Sequence, residues 1–188
     1  MYKMLELKDE IKVPPAKFGL GLQEAVRQSL MDRWDGVIDK RLGVVLVVTK
    51  VIETGEGRIY AGDGSIHYPV TFEVMVYKPN QHEIVEGEII DVTEFGVFIR
   101  LGPVDGMIHV SQLMDDFVTF DRKNVTFMGK ETKQRMKEGD VVRARIISVS
   151  VSGGEYKIGL TARQPNLGSI DWLKESKAAA KKKAAKSG

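Results

Sequence analysis

The chain has 188 residues, of which 43% are hydrophobic and 29% are charged, and its formal net charge is +2. This composition is typical of a globular protein, and the length allows one large domain or two small ones. Cysteine is absent, which excludes disulfides, thiolate metal sites and cysteine nucleophiles. The charge is unevenly distributed, because six lysines and one glutamate from Lys174 onward contribute +5 and leave −3 for the rest. A polyanion must therefore bind at a local cationic patch.

No apolar run approaches the ~18 residues of a membrane span, and the first fifteen residues lack the apolar core of a signal peptide. We therefore expect a cytoplasmic protein with no membrane partner. The three histidines, at positions 67, 82 and 109, show no metal-ligand spacing. Neither a metal nor a cofactor is expected.

The first part of the chain predicts a small α+β unit. Residues 1–13 read as a strand that stops at Pro14 and Pro15. Residues 43–52 are apolar on both faces, which indicates a strand buried twice or one whose second face meets a partner. An alternating strand ends near Tyr77. Between the first two strands, a helix ending near Gly36 is predicted by an apolar stripe at Phe18, Leu22, Ala25, Val26, Leu30 and Trp34.

The polar stretch 77–83 is a predicted linker, and after it the periodicity changes. Five short strands separated by glycine turns predict a small closed β-barrel: "IVEGEIIDVT", "GVFIRLG", "GMIHV", "DVVRARIISVS" and "YKIGLTA". A long polar stretch interrupts them after the third strand. The final residues are a low-complexity run of lysine and alanine, predicted to be frayed or disordered.

Strand alternation assigns two faces to the barrel. Aliphatic residues of the second and fourth strands share the inner face: Val97, Ile99, Leu101, Val142, Ala144 and Ile146. The opposite face then carries Phe98, Arg100, Arg143 and Arg145. An exposed phenylalanine can stack on a nucleic-acid base, which is worth about 1–3 kcal/mol, while nearby cations hold phosphates. The pattern alone leaves a second interpretation open, in which Phe95 and Phe98 are satellite core and His109 is a hydrogen-bonded turn residue.

The segments "GEIIDVTEFGVFIRLGPVDGMIHVSQL", "GDVVRARIISVS" and "YKIGLT" resemble, in this order, the S1-type RNA-binding domain, an oligonucleotide-binding (OB) barrel. The resemblance covers about residues 83–161 and implies that Phe95, Phe98, His109 and Lys157 line an RNA surface. Two features depart from the family: the turn before the last strand lacks an acidic residue, and residues 111–139 form a longer stretch than usual. That stretch adds Arg122, Lys123 and Lys130, which either extend an RNA path or lie in a solvated loop.

Along nearly the whole chain, "MYKMLEL…IKVPPAKFG", "GEGRIYAGDGSIHYPVTFEVMVYKP" and "GEIIDVTEFGVFIRLGP" resemble the family of large stalk subunits of archaeal RNA polymerase, and more distantly the seventh subunit of eukaryotic RNA polymerase II. The resemblance implies a truncated RNP-like domain at 1–80, an S1-type five-stranded OB barrel at 81–172 and a lysine-rich flexible tail at 173–188. It also implies that the tip of the first domain docks on the polymerase core near the clamp. The matching tip residues are Gly55, Gly57, Ala61, Gly62, Asp63, Gly64 and Ser65, although the same turns also suit an ordinary hairpin.

The first domain shows no RNP1-type run of alternating aromatics, which favours protein docking over RNA binding there. No catalytic motif is present, so a non-catalytic subunit of a nucleotidyltransferase is expected. The resemblance implies three partners: a smaller helical stalk subunit, the polymerase core and nascent single-stranded RNA. An initiation factor is a fourth candidate. The alternatives are a free-standing single-stranded RNA-binding protein of translation or RNA decay, and an assembly scaffold whose barrel binds no RNA.

Overall fold

A computed structural model describes residues 1–174 of the chain. These residues fall into two compact units, one at Met1–Lys78 and the other from Pro79 onward. The predicted lysine-rich tail lies, except for its first two residues, outside the described part of the chain. No helix within residues 1–174 is long and apolar enough to cross a membrane.

The first unit is an antiparallel sheet covered by one helix. Its elements in chain order are β1 (Tyr2–Val13), α1 (Leu22–Trp34), β2 (Ile38–Asp39), β3 (Gly43–Thr54), β4 (Arg58–Ile59) and β5 (Ile66–Tyr77). The strand order is β1-β5-β3-β2, and the two-residue strand β4 pairs with the start of β5. Strand β5 therefore lies at the centre of the sheet, between two twelve-residue neighbours.

The core of the first unit lies between α1 and one face of the sheet. Ala25, Val26 and Leu30 are buried against sheet residues such as Val45 and Phe72. Two positions of the predicted apolar stripe differ, since Phe18 and Leu22 are exposed. A short 3₁₀ turn follows Pro14, and α1 begins only at Leu22, so the helical period does not extend back to Phe18.

Strand β3 is buried on both faces only over its first half. Val44, Val45 and Val48 are buried, whereas Lys50 and Ile52 are exposed. The prediction of a doubly buried strand therefore holds near Gly43 and fails towards Thr54. The reason is that α1 covers only part of the strand's length, and the remainder extends beyond it.

The second unit contains nine strands within its described residues, 79–174. In chain order they are β6 (Ile84–Thr93), β7 (Gly96–Arg100), β8 (Asp105–His109), β9 (Val118–Asp121), β10 (Thr126–Gly129), β11 (Arg135–Met136), β12 (Val141–Ser152), β13 (Glu155–Thr161) and β14 (Gly168–Ser169). Five of them close into a barrel in the order β13-β8-β7-β6-β12, because β12 also pairs with β13. The β8–β13 pair is parallel and the others are antiparallel.

The barrel interior is filled by aliphatic side chains, as the strand alternation predicts. Val97 and Ile99 of β7 are at most 1% exposed, and Val142, Ala144 and Ile146 of β12 are equally enclosed. Burial of such side chains supplies the main stabilising free energy of a small barrel. The alternate residues of β7 and β12 are therefore held on the outside, where Phe98 and Arg143 are half-buried and Arg100 is exposed.

The long polar stretch between β8 and β12 folds into its own small sheet, in the order β11-β10-β9. Phe127 and Met136 are fully buried beneath it, and the Phe120 and Phe127 rings lie 5.1 Å apart. Asp116 accepts hydrogen bonds from the Thr132 backbone N–H and hydroxyl, and the former is the main cause that lowers the pKa of this carboxyl. Residues 118–136 are thus an ordered element and not simply a solvated loop.

Candidate nucleic-acid interface

Four residues on the outside of the barrel, at and beside the β7–β8 pair, are here called the stacking surface: Phe95, Phe98, Met107 and His109. Phe95 lies in the turn between β6 and β7, with 64% of its surface exposed. Phe98 and Met107 are direct neighbours across the β7–β8 pair, and both are half-buried. A half-buried ring keeps one face fixed by the barrel and the other available, which suits a flat ligand.

His109 closes one end of the stacking surface. It is the last residue of β8, is exposed, and faces Gly96 across the β7–β8 pair. A Cβ added at Gly96, whose φ is +154°, would approach the Ile108 carbonyl oxygen to 2.1 Å. Glycine is therefore required where the two strands come together beside the histidine. The His109 Nδ1 atom is hydrogen-bonded to the Ser111 hydroxyl at 2.9 Å, which leaves the Nε2 edge of the ring for a ligand.

The small sheet brings two of the predicted cations towards this surface. Arg122, in the turn between β9 and β10, forms an ion pair with Glu94 at 3.0 Å, and Glu94 directly precedes Phe95. Lys123 is the next residue and is exposed. Asp121 fixes this turn by accepting from the Asn124 side chain and the Lys123 backbone N–H, and these bonds lower the pKa of its carboxyl.

The remaining predicted cations differ in whether they form an ion pair. Arg100 and Lys157 are exposed, and neither forms an ion pair with any residue that the structure describes. Lys157 lies two residues before Gly159, the neighbour of Met107. By contrast, Arg143 faces Glu86 and pairs with it at 2.7 Å.

Arg143 and Arg145 are not brought to the stacking surface. Their partners on β6 are Glu86 and Ile84, whereas Phe98 faces Asp91 on the same strand. Five residues along a strand correspond to roughly 15 Å, so these two arginines lie towards the far end of β6.

Two residues of this region were absent from the set predicted from sequence. Met107 alternates with the buried Ile108 in "GMIHV", so the same two-residue period that placed Phe98 could have found it. Asp91 has no such signal. A bulge between Ile89 and Asp91 shifts the alternation by one residue, and only the observed register places Asp91 opposite Phe98.

The predicted tip residues of the first unit differ in accessibility. Ala61, Gly62 and Gly64 are exposed, whereas Ser65 is buried. Gly55 and Gly57 are also exposed, but they lie close to β5: a Cβ at Gly57 would lie 2.7 Å from both Ile66 and Tyr68 side-chain atoms, and one at Gly55 would lie 2.8 Å from Pro69. Beside the glycines, Ile59 is 73% exposed and Tyr60 is also exposed.

Asp63 holds the tip turn in place from within. Its carboxylate accepts from Lys12 Nζ at 2.9 Å, from the Ser65 backbone N–H at 3.0 Å, and contacts His67 Nε2 at 3.0 Å. The Lys12 bond, followed by the His67 and Ser65 bonds, lowers the pKa of this carboxyl far below its ordinary value of 3.8. The turn is therefore tied to β1 and β5, and the glycines beside it are left at the surface.

Comparison with known proteins agrees with both units. The model of the S1 RNA binding domain matches residues 78–160, and the model described as "SHS2 domain found in N terminus of Rpb7p/Rpc25p/MJ0397" matches residues 8–64. The DNA-directed RNA polymerase subunit Rpo7 of Saccharolobus shibatae is 38% identical over 94% of this chain and 99% of its own length. The chain belongs to the Rpo7 family. The Rpo7 of Sulfolobus acidocaldarius is also 38% identical, over 97% of this chain and 100% of its own.

The resemblance identified from the sequence is thus confirmed, and so is the fold class: a truncated RNP-like α+β domain followed by an S1-type OB barrel. The RNA polymerase II subunit RPB7 of Glycine max is a more distant relative, 28% identical over 91% of this chain and 97% of its own. Among solved structures, an RNase R of Mycoplasma genitalium is 26% identical and similar over 43% of this chain and 13% of its own, with a TM-score of 0.38. Like its Rpo7 relatives, the chain is an RNA polymerase subunit with an S1 RNA-binding domain.

Proposed function

We propose that this chain is a non-catalytic stalk subunit that holds nascent single-stranded RNA on the stacking surface of its barrel. The observation that carries the proposal is the exposed ring of Phe95, in the turn that leads into β7, together with Phe98 and His109 on the outer face of the β7–β8 pair of a filled barrel. A barrel whose interior is occupied by aliphatic chains can bind a ligand only on its outside. Stacking on flat rings is tolerant of sequence, as a subunit that receives every transcript requires.

The cations around the stacking surface support the same function. Arg100, Lys157 and Lys123 are exposed, and Arg122 lies next to the Phe95 turn. Such side chains hold phosphates and make affinity fall as salt rises. We propose that RNA crosses β7, β8 and β13 and continues along the turn between β9 and β10. Arg143 and Arg145 lie on β12, opposite the far end of β6, and then serve at most an extension of this path.

The tip of the first unit is the proposed docking site for the polymerase core near its clamp. It presents Ile59, Tyr60, Gly62 and Gly64 at the surface, held by the internal bonds of Asp63. Exposed apolar residues around glycines allow close approach of another chain. In the full proposal, a smaller helical subunit and an initiation factor also bind. The assembly assists DNA opening, elongation and termination in the cytoplasm.

One experiment with two arms tests the proposal. In the first arm, binding of a fluorescent single-stranded RNA is measured by anisotropy at several salt concentrations. Phe95→Ala is expected to weaken binding about tenfold, because one stacked base is lost. Phe18→Ala, which removes an exposed phenylalanine from the first unit, is the matched control and is expected to change nothing. Equal affinities for wild type and Phe95→Ala would refute the stacking surface.

In the second arm, retention by purified polymerase core is measured. Gly64→Arg places a long cation on the tip without backbone strain, since only Pro15 comes within 4 Å of the added Cβ. It is expected to abolish retention, whereas Gln28→Arg on α1 is expected to preserve it. Core retention by Gly64→Arg would show that the tip is not the docking site. RNA binding without any core retention would favour a free-standing RNA-binding protein.

A further inference from the structure

Asp91 is the residue of β6 that lies directly opposite the stacking residue Phe98. The pairs on either side, Ile89 with Ile99 and Val92 with Val97, are all buried, so Asp91 and Phe98 share the outer face. Directly opposite residues of an antiparallel pair have Cβ atoms about 4.5–5.5 Å apart. The aspartate is exposed, so its carboxylate is in contact with solvent on the same face as the neighbouring ring.

Asp91 differs from the other acidic residues around this surface in having no cation beside it. Glu94 forms an ion pair with Arg122 at the Phe95 turn, and further along β6, away from this surface, Glu86 forms one with Arg143. Glu88 and Asp105 both face Arg100 across the sheet. Within residues 1–174, the Asp91 carboxylate makes neither an ion pair nor a hydrogen bond. It therefore has its full capacity to accept hydrogen bonds, and it repels a phosphate placed at the same point.

A base stacked on Phe98 would bring its edge towards this carboxylate. In single-stranded RNA the Watson–Crick edge is unpaired and open to recognition. Guanine presents two adjacent donors there, N1–H and the 2-amino group, which match the two oxygens of a carboxylate. Uracil presents one donor between two carbonyl acceptors, and these acceptors repel the carboxylate. Cytosine and adenine each present an amino donor beside a ring-nitrogen acceptor and are intermediate.

We propose that Asp91 is a specificity-determining residue, which makes the Phe98 position of the stacking surface prefer guanine and disfavour uracil. This inference rests on the proposed RNA-binding function and makes it more specific. The remaining positions of the surface, Phe95 and His109, have no unpaired carboxylate opposite them and stay tolerant of sequence. The chain thereby combines general transcript binding with a preference at one nucleotide.

The test uses the full chain and a set of single-stranded RNAs of equal length. One is all uridine, one carries a central guanosine, and one carries inosine there, which is guanosine without its 2-amino group. Anisotropy titrations at fixed salt are expected to show about tenfold tighter binding of the guanosine strand than of the uridine strand. The inosine strand is expected to lie between them, because it retains only one of the two donors.

Two variants separate hydrogen bonding from charge. Asp91→Asn keeps the shape but presents one acceptor and one donor group, so the guanosine preference is expected to fall below twofold while the uridine strand binds more tightly. Asp105→Asn removes the charge of another exposed aspartate, one that faces Arg100, and it is the matched control. It is expected to strengthen binding of all three strands alike and to preserve the preference.

The outcomes distinguish this inference from the proposed function. If the chain binds all three strands equally, or if Asp91→Asn keeps the guanosine preference, the role of Asp91 is refuted while RNA binding stands. If no strand binds, the proposed function and the inference both fail. A preference that Asp105→Asn abolishes as well would assign the effect to overall charge and would also refute the role of Asp91.

Discussion

Single side chains decide how firmly the tip and the stacking surface are held. Asp63 is the clearest case, because three groups from β1, the tip turn and β5 donate to or contact one carboxylate. Each of these bonds favours the ionised form, which is why the pKa of Asp63 is lowered. The turn that carries the exposed glycines is consequently preorganised before any partner binds.

The lowered pKa of Asp63 predicts an acid-dependent contribution to stability. A carboxyl whose pKa is lower in the folded state than its ordinary value of 3.8 stabilises the fold when it is ionised. This contribution is fully present above pH 3.8 and is lost as the pH falls towards the pKa of the folded state. We expect Asp63→Asn to be less stable than wild type at pH 6. The difference between the two free energies of unfolding should begin to shrink as the pH falls below about 3.8, and it should close only as the pH approaches the lowered pKa of the folded state. Urea titrations between pH 2 and pH 6 measure this, and a gap that stays constant to pH 2 would contradict it.

At the same scale, the sequence predicted some site residues and missed others for a definable reason. The outward positions of Phe98 and Arg100 followed from alternation with Val97 and Ile99, which the structure confirms as buried. Asp91 could not be found in this way, because a bulge interrupts the alternation of β6. A bulge depends on pairing with a partner strand, and no property of "EIIDVT" alone indicates one.

Among the elements, the sheet of β9, β10 and β11 connects the long polar stretch to the stacking surface. It has a small core of its own around Phe127, whose ring packs on Phe120. The turn between β9 and β10 then carries Arg122 to the stacking surface. The sequence of this segment suggested either an extension of an RNA path or a solvated loop. An RNA path needs cations that are held in place, and an ordered sheet holds them.

Truncating the buried ring of this sheet should loosen it selectively. Phe127→Ala removes a fully buried aromatic, a change that costs about 3–5 kcal/mol when the site cannot collapse. Because the ring lies in a separate small core, we expect faster hydrogen exchange of backbone amides in β9 to β11 and unchanged exchange in β7. Phe117→Ala, at a 75% exposed ring, is the control and should alter neither region. Equal loosening of β7 would mean that the two sheets unfold together.

In the first unit, the apolar pattern of the sequence extends further than the face of α1 that is buried. Ala25, Val26 and Leu30 were predicted to face a core and do so, while Phe18 and Leu22 share the period and are exposed. A hydrophobic period identifies which residues share a face, but the length of that face is set by where the helix begins and by what it packs on.

At the scale of the whole molecule, charge is the dominant asymmetry. The net charge of +2 combines +5 from Lys174 onward with −3 from the preceding residues. The stacking surface is therefore part of a body that repels RNA at long range, even though exposed cations surround its rings. Local contacts and the charge of the C-terminal residues then contribute separately to affinity.

Neutralising the terminal lysines should weaken RNA binding in a salt-dependent way. With the six lysines from Lys174 onward changed to glutamine, we expect about tenfold weaker binding at low salt and a smaller slope of log K against log salt, because fewer counterions are released. At high salt the two proteins should bind alike. Anisotropy titrations over a salt series measure this, and an unchanged slope would show that these lysines do not contact RNA.

The sequence by itself determined the two-part architecture, the five barrel strands, the aliphatic interior and the aromatic exterior. These features follow from local rules, since alternation, glycine turns and composition act over a few neighbouring residues. Only the tertiary structure decided which outward side chains are neighbours: Asp91 beside Phe98, Arg122 beside the Phe95 turn, and Arg143 far from both. Strand register and closure of the barrel bring together residues distant in sequence, and they depend on how all the strands pack at once.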